Sequence, residues 1–213
     1  MIVYKIKNLS NPKIKEKHDN NNKEIYSKIM KFMEHNNLTA DDFFIGGSSC
    51  YSYMDYLILH HVRDIDVFLL KDIEVEKTEG IDVIVNKAIK GYTPELIQKN
   101  GINFLSPWHA ITKCATKALL YQKRQSILYF QILLDYIGMT AEDFYNQFML
   151  EVEQHVFPFT DKDALNIVKN NMFLLKYWEL KPVQIPSFLS AIVIDNNNDK
   201  LQRVVAQGKI PNN

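Results

Sequence analysis

Two apolar runs in this chain each begin on aspartate: "DIDVFLL", with Asp64 and Asp66 around Ile65, and "GIDVIV", with Asp82. Residues two apart on a strand share a face, so Asp64 and Asp66 are expected to point one way while Ile65 and Val67 point the other. Two carboxylates held that close repel, and either a proton or a cation relieves the repulsion. Mg²⁺, or Mn²⁺ in its place, suits the role, because a hard cation takes one or two carboxylates together with phosphate oxygens and water. Asp82 brings a third carboxylate to the same edge. In a two-ion site, Asp64 and Asp66 would hold both ions and Asp82 the one that activates an acceptor hydroxyl.

Upstream, "FFIGGSS" stops a short apolar run on Gly46, Gly47, Ser48 and Ser49. Glycines let the backbone approach phosphates, a helix N-terminus favours anions, and a serine hydroxyl bonds a phosphate oxygen. With the aspartates, this is the equipment for in-line nucleotidyl transfer from a nucleoside triphosphate. Each signal alone is commonplace: Asp-x-Asp at a strand start is most often a solvated loop end, and Gly-Gly-Ser is mostly a turn. The order carries the reading: strand, Gly-Gly-Ser, helix, Asp-Ile-Asp on a second strand, Asp on a third.

Lys113 and Lys117, four apart on one helix face, are further candidates to reach a triphosphate, and serve equally well as solvated helix lysines. Trp108 and His109 in "SPWHA" offer a base-stacking wall or ordinary core packing. His60 and His61, adjacent on a helix, diverge by about 100° and read as a helix end rather than a ligand pair. Arg63 orients or screens Asp64, and Lys123-Arg124 reads as a helix surface turn.

The elements that must position these groups follow from periodicity. The chain starts with an extended segment at Ile2 to Ile6. "KEIYSKIMKFMEH" is a helix by the spacing of Ile25, Ile29, Phe32 and Met33, preceded by a polar loop that includes "DNNNK". "DDFFIGG" is a buried strand, and Ser48 or Ser49 caps a helix running to about Leu59, with Tyr53, Met54, Leu57 and Ile58 on one face. "DIDVFLL" and "GIDVIV" are neighbouring strands. A long helical pattern runs from Pro107 to Ile137 and stops at Gly138. Thr140 with Asp143, and Thr160 with Asp163, start two more helices in the manner of a capping box. The tail beyond Pro182 and Pro186 carries no clear pattern. The reading is an α/β (α+β) chain: residues 1–105 form a small mixed sheet with flanking helices, and 106–213 a helical C-terminal subdomain.

The 213 residues are 46% hydrophobic, enough for a substantial core, and Lys plus Arg (25) balance Asp plus Glu (25), so no global basic field announces nucleic acid. Cys50 and Cys114 form no C-x-x-C pair and read as buried reduced thiols. The lysine-studded start lacks a signal-peptide core, and no segment has the apolar length of a membrane span, so a cytoplasmic protein with no membrane partner is expected.

From Phe43 to Val85, the order of "IGGSS", "VRDIDVFLL" and "GIDVIV" resembles the nucleotidyltransferase superfamily related to DNA polymerase beta. It looks most like the compact bacterial members of the AbiEii type. The resemblance implies a nucleotidyltransferase-type sheet, with Asp64, Asp66 and Asp82 holding metal and Gly47 and Ser48 binding nucleotide phosphates. It also implies transfer of a nucleoside monophosphate onto a hydroxyl, with RNA, particularly a tRNA end, as the first acceptor and a protein side chain or a small molecule such as an aminoglycoside behind it. "TKCATKALLYQKRQSILYF" keeps Lys113 or Lys117 and Arg124 but lacks the later aspartates of AbiEii-type proteins. The alternative is an inactive nucleotidyltransferase-like binding module serving as antitoxin, decoy or assembly partner.

Overall fold

The computed structural model describes residues 2–4, 9–59, 62, 64–85, 94–121, 124–153, 162–178, 189–195, 200–205 and 208–209. In chain order the elements are β1 (Ile2–Tyr4), α1 (Pro12–His35), β2 (Phe43–Gly46), α2 (Gly47–Tyr53), β3 (Ile58–Leu59), β4 (Ile65–Leu69) and β5 (Ile81–Val85). There follow β6 (Leu96–Lys99), β7 (Ile102–Leu105), α3 (Pro107–Tyr121), α4 (Arg124–Ile137), α5 (Ala141–Glu153) and α6 (Lys162–Asn171), then β8 (Leu189–Asp195), β9 (Lys200–Val205) and β10 (Gly208–Lys209). The architecture is thus mixed α and β. It divides into two compact units, Met1–Asn86 with Leu96–Ser106 and Phe188–Asn213, and Lys87–Glu95 with Pro107–Ser187.

The first unit contains both sheets. One is a mixed five-stranded sheet in the order β5-β4-β2-β7-β6, and the other runs β10-β9-β8-β1-β3. In the mixed sheet β2 lies antiparallel to β4 and parallel to β7, while β4 and β5 are parallel. Strand alternation sorts the residues of β4 and β5 by face. Ile65, Val67 and Leu69 are buried with Ile81 on one side, whereas Asp82 and Ile84 leave the other side of β5 open to solvent. The core of this unit gathers Phe32, Phe43, Ile45, Ile65 and Phe104, all at most 2% exposed.

The second unit packs α3, α4, α5 and α6, with a 3₁₀ segment at Met172–Tyr177, around Phe130, Phe144 and Phe148. Phe144 is central: its ring meets Phe130 at 5.0 Å and Phe148 at 5.4 Å. Thr140 starts α5 as expected, its hydroxyl donating to Asp143 at 2.7 Å and accepting the Asp143 N–H at 3.1 Å. Gly138 follows α4 at φ +71°, a left-handed stop suited to glycine. Both cysteines are buried free thiols.

Four features of the first unit depart from the sequence reading. α1 begins at Pro12, well before Ile25, the first residue of the expected apolar periodicity. Asn11 caps it, its side chain accepting the Lys13 N–H at 3.0 Å, and Pro12 sits at the first helical position. "DNNNK" is therefore helix rather than loop, and the buried residues in this first half of α1 are polar: His18 and Asn21. Second, α2 stops at Tyr53 instead of Leu59. Asp55 takes a left-handed conformation (φ +59°), and the Tyr56 N–H returns to the Tyr51 carbonyl at 2.9 Å. Ile58 and Leu59, which extend the helical spacing of the sequence, instead pair with Tyr4 and Val3 as β3. Third, β6 and β7 form a hairpin on Asn100-Gly101, both at positive φ, the Asn-Gly signature of a tight turn. Fourth, the chain does not remain helical to residue 213: Leu189–Asp195 and Lys200–Val205 are strands, and β8 pairs antiparallel with β1. The start of α6 at Thr160 lies outside the described residues, as do His60, His61, Arg63 and Lys123.

Candidate active site

The strand register assembles the acidic cluster. Gly46, last residue of β2, pairs with Asp66 near the start of β4, and Asp66 pairs with Asp82 near the start of β5. Register partners on adjacent strands carry their side chains on the same face, so Asp66 and Asp82 stand side by side at one end of the sheet. Asp64 is exposed and lies just before β4, whose first residue is tied to the third strand by the Ile65 N–H donating to the Gly80 carbonyl at 2.9 Å.

The Gly-Gly-Ser turn meets this cluster directly. Gly47 opens α2 at φ +65°, and a Cβ built on it would lie 1.7 Å from Asp66 Oδ2 and 2.7 Å from its Cγ. The Asp66 carboxylate thus packs against the bare α-carbon of Gly47. Glycine is required twice over there, by backbone conformation and by space. Ser49 is fully buried and its hydroxyl donates to the Gly46 carbonyl at 3.1 Å, which braces the turn from inside. Ser48 is half-buried and is the serine of the pair with exposed surface. α2 has seven residues, so its aligned peptide dipoles are few, and the close backbone approach at Gly47 is the stronger feature of the turn.

The entrance to β2 is held by ion pairing. Thr39 donates from its N–H and its hydroxyl to Asp42 Oδ2, each at 2.7 Å, and the Lys71 ammonium bonds Oδ1. Lys71 and then Thr39 hold the Asp42 carboxyl well below the usual carboxylate range, against the opposing effect of burial. The Leu70 N–H also donates to the Asp42 carbonyl at 2.8 Å, so this one residue locks the far ends of β2 and β4 and, with them, the register that aligns Gly46 with Asp66.

Lys113 and Lys117 both stand on α3 of the second unit, Lys113 half-buried and Lys117 exposed. Trp108, on the same helix, donates its indole N–H to Glu151 at 2.6 Å and packs against Phe144 at 5.2 Å, so it belongs to the core of that unit. Burial pushes the Glu151 carboxyl up, partly offset by that hydrogen bond. His109 accepts the Glu95 N–H on Nδ1 at 3.2 Å, and burial holds its pKa down despite Glu95 nearby.

The donor set of the acidic cluster is all carboxylate oxygen, which fits Mg²⁺ or Mn²⁺ rather than a softer metal. Among the described residues no three His, Cys, Asp or Glu side chains are grouped so as to hold an ion by themselves. Magnesium needs no such group, since one or two carboxylates suffice when substrate phosphates and water complete the shell. Among the described residues no helix is long and apolar enough to cross a membrane. Compared with protein-family models, with curated proteins and with solved structures, the chain finds no match.

Sequence reasoning overlooked the Thr39-Asp42-Lys71 lock and the pairing of buried His18 with half-exposed Asp55. The first has a signal in "LTADDFF", whose threonine and aspartate repeat the spacing of the α5 start at "MTAEDFY". The second has none, because 37 residues separate its partners.

Proposed function

We propose that this protein is a metal-dependent nucleotidyltransferase that moves a nucleoside monophosphate from a nucleoside triphosphate onto a hydroxyl acceptor, with RNA or a tRNA end as the first candidate acceptor and a protein side chain as the second. The observation that carries the proposal is the row Gly46, Asp66, Asp82 across three neighbouring strands, with the Asp66 carboxylate against the α-carbon of Gly47. A phosphate-approaching turn and two carboxylates at one sheet end are the parts that in-line phosphoryl chemistry requires.

In this proposal Asp66 and Asp82, with exposed Asp64 beside them, would hold Mg²⁺ or Mn²⁺. The ion, when bound, neutralises phosphate charge and makes the acceptor hydroxyl easier to deprotonate. The chain's own residues do the positioning. Gly46 and Gly47 let the triphosphate approach the backbone, Ser48 offers its hydroxyl to a phosphate oxygen, and Ser49 keeps the turn closed. The carboxylates need no proton of their own for this role, because they serve as ligands rather than as acids.

The test is incubation of the full chain with each labelled nucleoside triphosphate, Mg²⁺ or Mn²⁺, and total RNA or lysate protein, beside Asp66→Asn and Asp82→Asn. Label should pass to one acceptor class with the native chain and to none with either variant. Transfer that survives both substitutions would discard the site, and the absence of transfer to any acceptor would favour the inactive binding module.

A further inference from the structure

The mixed sheet of the first unit ends on β6, and among the described residues β7 is the only strand beside it. Such an edge offers a row of backbone N–H and C=O groups to any other extended chain, and proteins ordinarily guard it with a bulge, a proline or a charged side chain. β6 has no such guard in place. Its register with β7 runs without a shift from Leu96↔Leu105 to Lys99↔Ile102, and no proline interrupts it. Its one charged residue, Lys99, folds back onto its own chain, where the ammonium donates to the Tyr53 carbonyl at 2.7 Å and to Asp55 at 3.2 Å.

The turn decides which groups face outward. With Asn100-Gly101 as a two-residue turn, the flanking pair Lys99 and Ile102 exchange both backbone bonds, and the pattern recurs at every second pair, hence at Ile97 with Phe104. The N–H and C=O of Leu96 and Gln98 therefore point away from β7, and among the described residues neither is hydrogen-bonded outside the hairpin. Ile97, between them, is 38% exposed. The stretch Glu95-Leu96-Ile97-Gln98-Lys99 is complementary to itself. Laid antiparallel to a second copy about an axis through Ile97, it sets Leu96 opposite Gln98 and Glu95 opposite Lys99 on both sides of the axis. Leu96 and Gln98 then exchange both of their free backbone bonds. The Glu95 carboxylate, exposed and 3.9 Å from His109 in its own chain, meets a charge of opposite sign. Moving the axis to Gln98 forfeits half of these bonds, because Leu96 would then face Asn100, which the left-handed turn at φ +53° takes out of the strand.

We propose that β6 is the surface through which two copies of this chain associate, by antiparallel edge-to-edge pairing about a two-fold axis at Ile97. The partner is a second copy rather than an unrelated strand, because the stretch supplies its own opposite charges in register and a two-fold axis brings the same residues of both copies together. The two mixed sheets become continuous, and the two Ile97 side chains cover each other. Only a short strand is buried, so the association is weak and reversible. It does not rest on the reading of the aspartates, since Asp82 stands on β5 at the opposite edge of the sheet.

Sedimentation equilibrium of the full chain under reducing conditions, over a concentration series up to about 1 mM, is expected to show the mass rising from that of the monomer toward twice it. Ile97→Lys, at an exposed position and with native circular dichroism, should weaken the association about tenfold or more, because like charges then face each other across the axis. Paired Cα atoms at such an antiparallel position, between the hydrogen-bonded pairs, lie about 4.5 Å apart, within the reach of a disulfide. Ile97→Cys should therefore oxidise to a covalent dimer, whereas Gln98→Cys, which lies opposite Leu96 of the second copy, should not cross-link to itself. The native thiols Cys50 and Cys114 are buried and supply no link in the unsubstituted control. The proposal is overturned if the chain stays monomeric throughout the series, if Ile97→Lys associates as tightly as the native chain, or if Gln98→Cys cross-links as readily as Ile97→Cys.

Discussion

Replacing Gly47 with alanine tests the close approach on which the candidate site depends. Two separate costs are predicted. A non-glycine residue at φ +65° is strained by about 1 kcal/mol. The added Cβ also falls 1.7 Å from Asp66 Oδ2, so the carboxylate must swing away, an overpacking cost of roughly 1–3 kcal/mol. The single variant should therefore lose about 2–4 kcal/mol in urea denaturation, with the slope of the transition unchanged. Asp66→Ala removes the clashing oxygens and leaves only the 3.3 Å approach to the Asp66 Cβ. In that background the same glycine substitution should cost only about 1 kcal/mol, the backbone share, so the cycle reports a coupling of about 1–3 kcal/mol. Gly101→Ala is the control: it has the same left-handed backbone at φ +74° but nothing within 4 Å of the added Cβ, and should lose about 1 kcal/mol. Equal costs for Gly47→Ala in the native and Asp66→Ala backgrounds would refute the packing of Asp66 on Gly47, and with it the geometric basis of the site.

Three further outcomes are expected. Because Lys71 and Thr39 depress the Asp42 pKa below its unfolded value near 3.8, the stability they confer is complete above about pH 4. It fades as acid titrates Asp42 at still lower pH, and urea midpoints measured from pH 7 to pH 2 should fall less steeply for Asp42→Asn than for the native chain. Phe144→Ala, which removes a fully buried ring touching three other aromatic side chains, should destabilise the helical unit by about 3–5 kcal/mol, read by near-ultraviolet circular dichroism under denaturant. Asp55→Asn removes a carboxylate that burial pushes up but His18 and Lys99 pull down further, so it should lower stability at pH 7 and shift the His18 ring resonances; unchanged resonances would mean that the contact between Asp55 and His18 is not made in solution.

Much of the fold was legible from pattern alone. "DIDVFLL" and "GIDVIV" are β-branched runs bounded by charge, and they are β4 and β5, adjacent as their short connection required. Gly138 and the Thr140-Asp143 box mark helix ends by local chemistry that needs no tertiary partner. The first half of α1 was hidden for the opposite reason. Its inward face is His18 and Asn21, held by Asp55 and Ser52, and a polar inward face gives no hydrophobic period to detect. α2 was overextended because Leu57 and Ile58 continue the helical spacing, and only pairing with β1 shows that Ile58 belongs to a strand.

The sequence by itself determined the components: which residues carry carboxylates, which turn has two glycines, and the order in which they occur. Those follow from residue type and from contacts within a few positions along the chain. Register was decided only by the tertiary structure. Whether Asp66 faces Asp82 or slips past it by one residue, which would turn one carboxylate to the other face, depends on bonds between strands such as that from the Ile65 N–H to the Gly80 carbonyl. The contact between Gly47 and Asp66 was decided the same way, because it joins the first residue of α2, just past the end of β2, to the antiparallel neighbour β4, and no local propensity specifies that pairing.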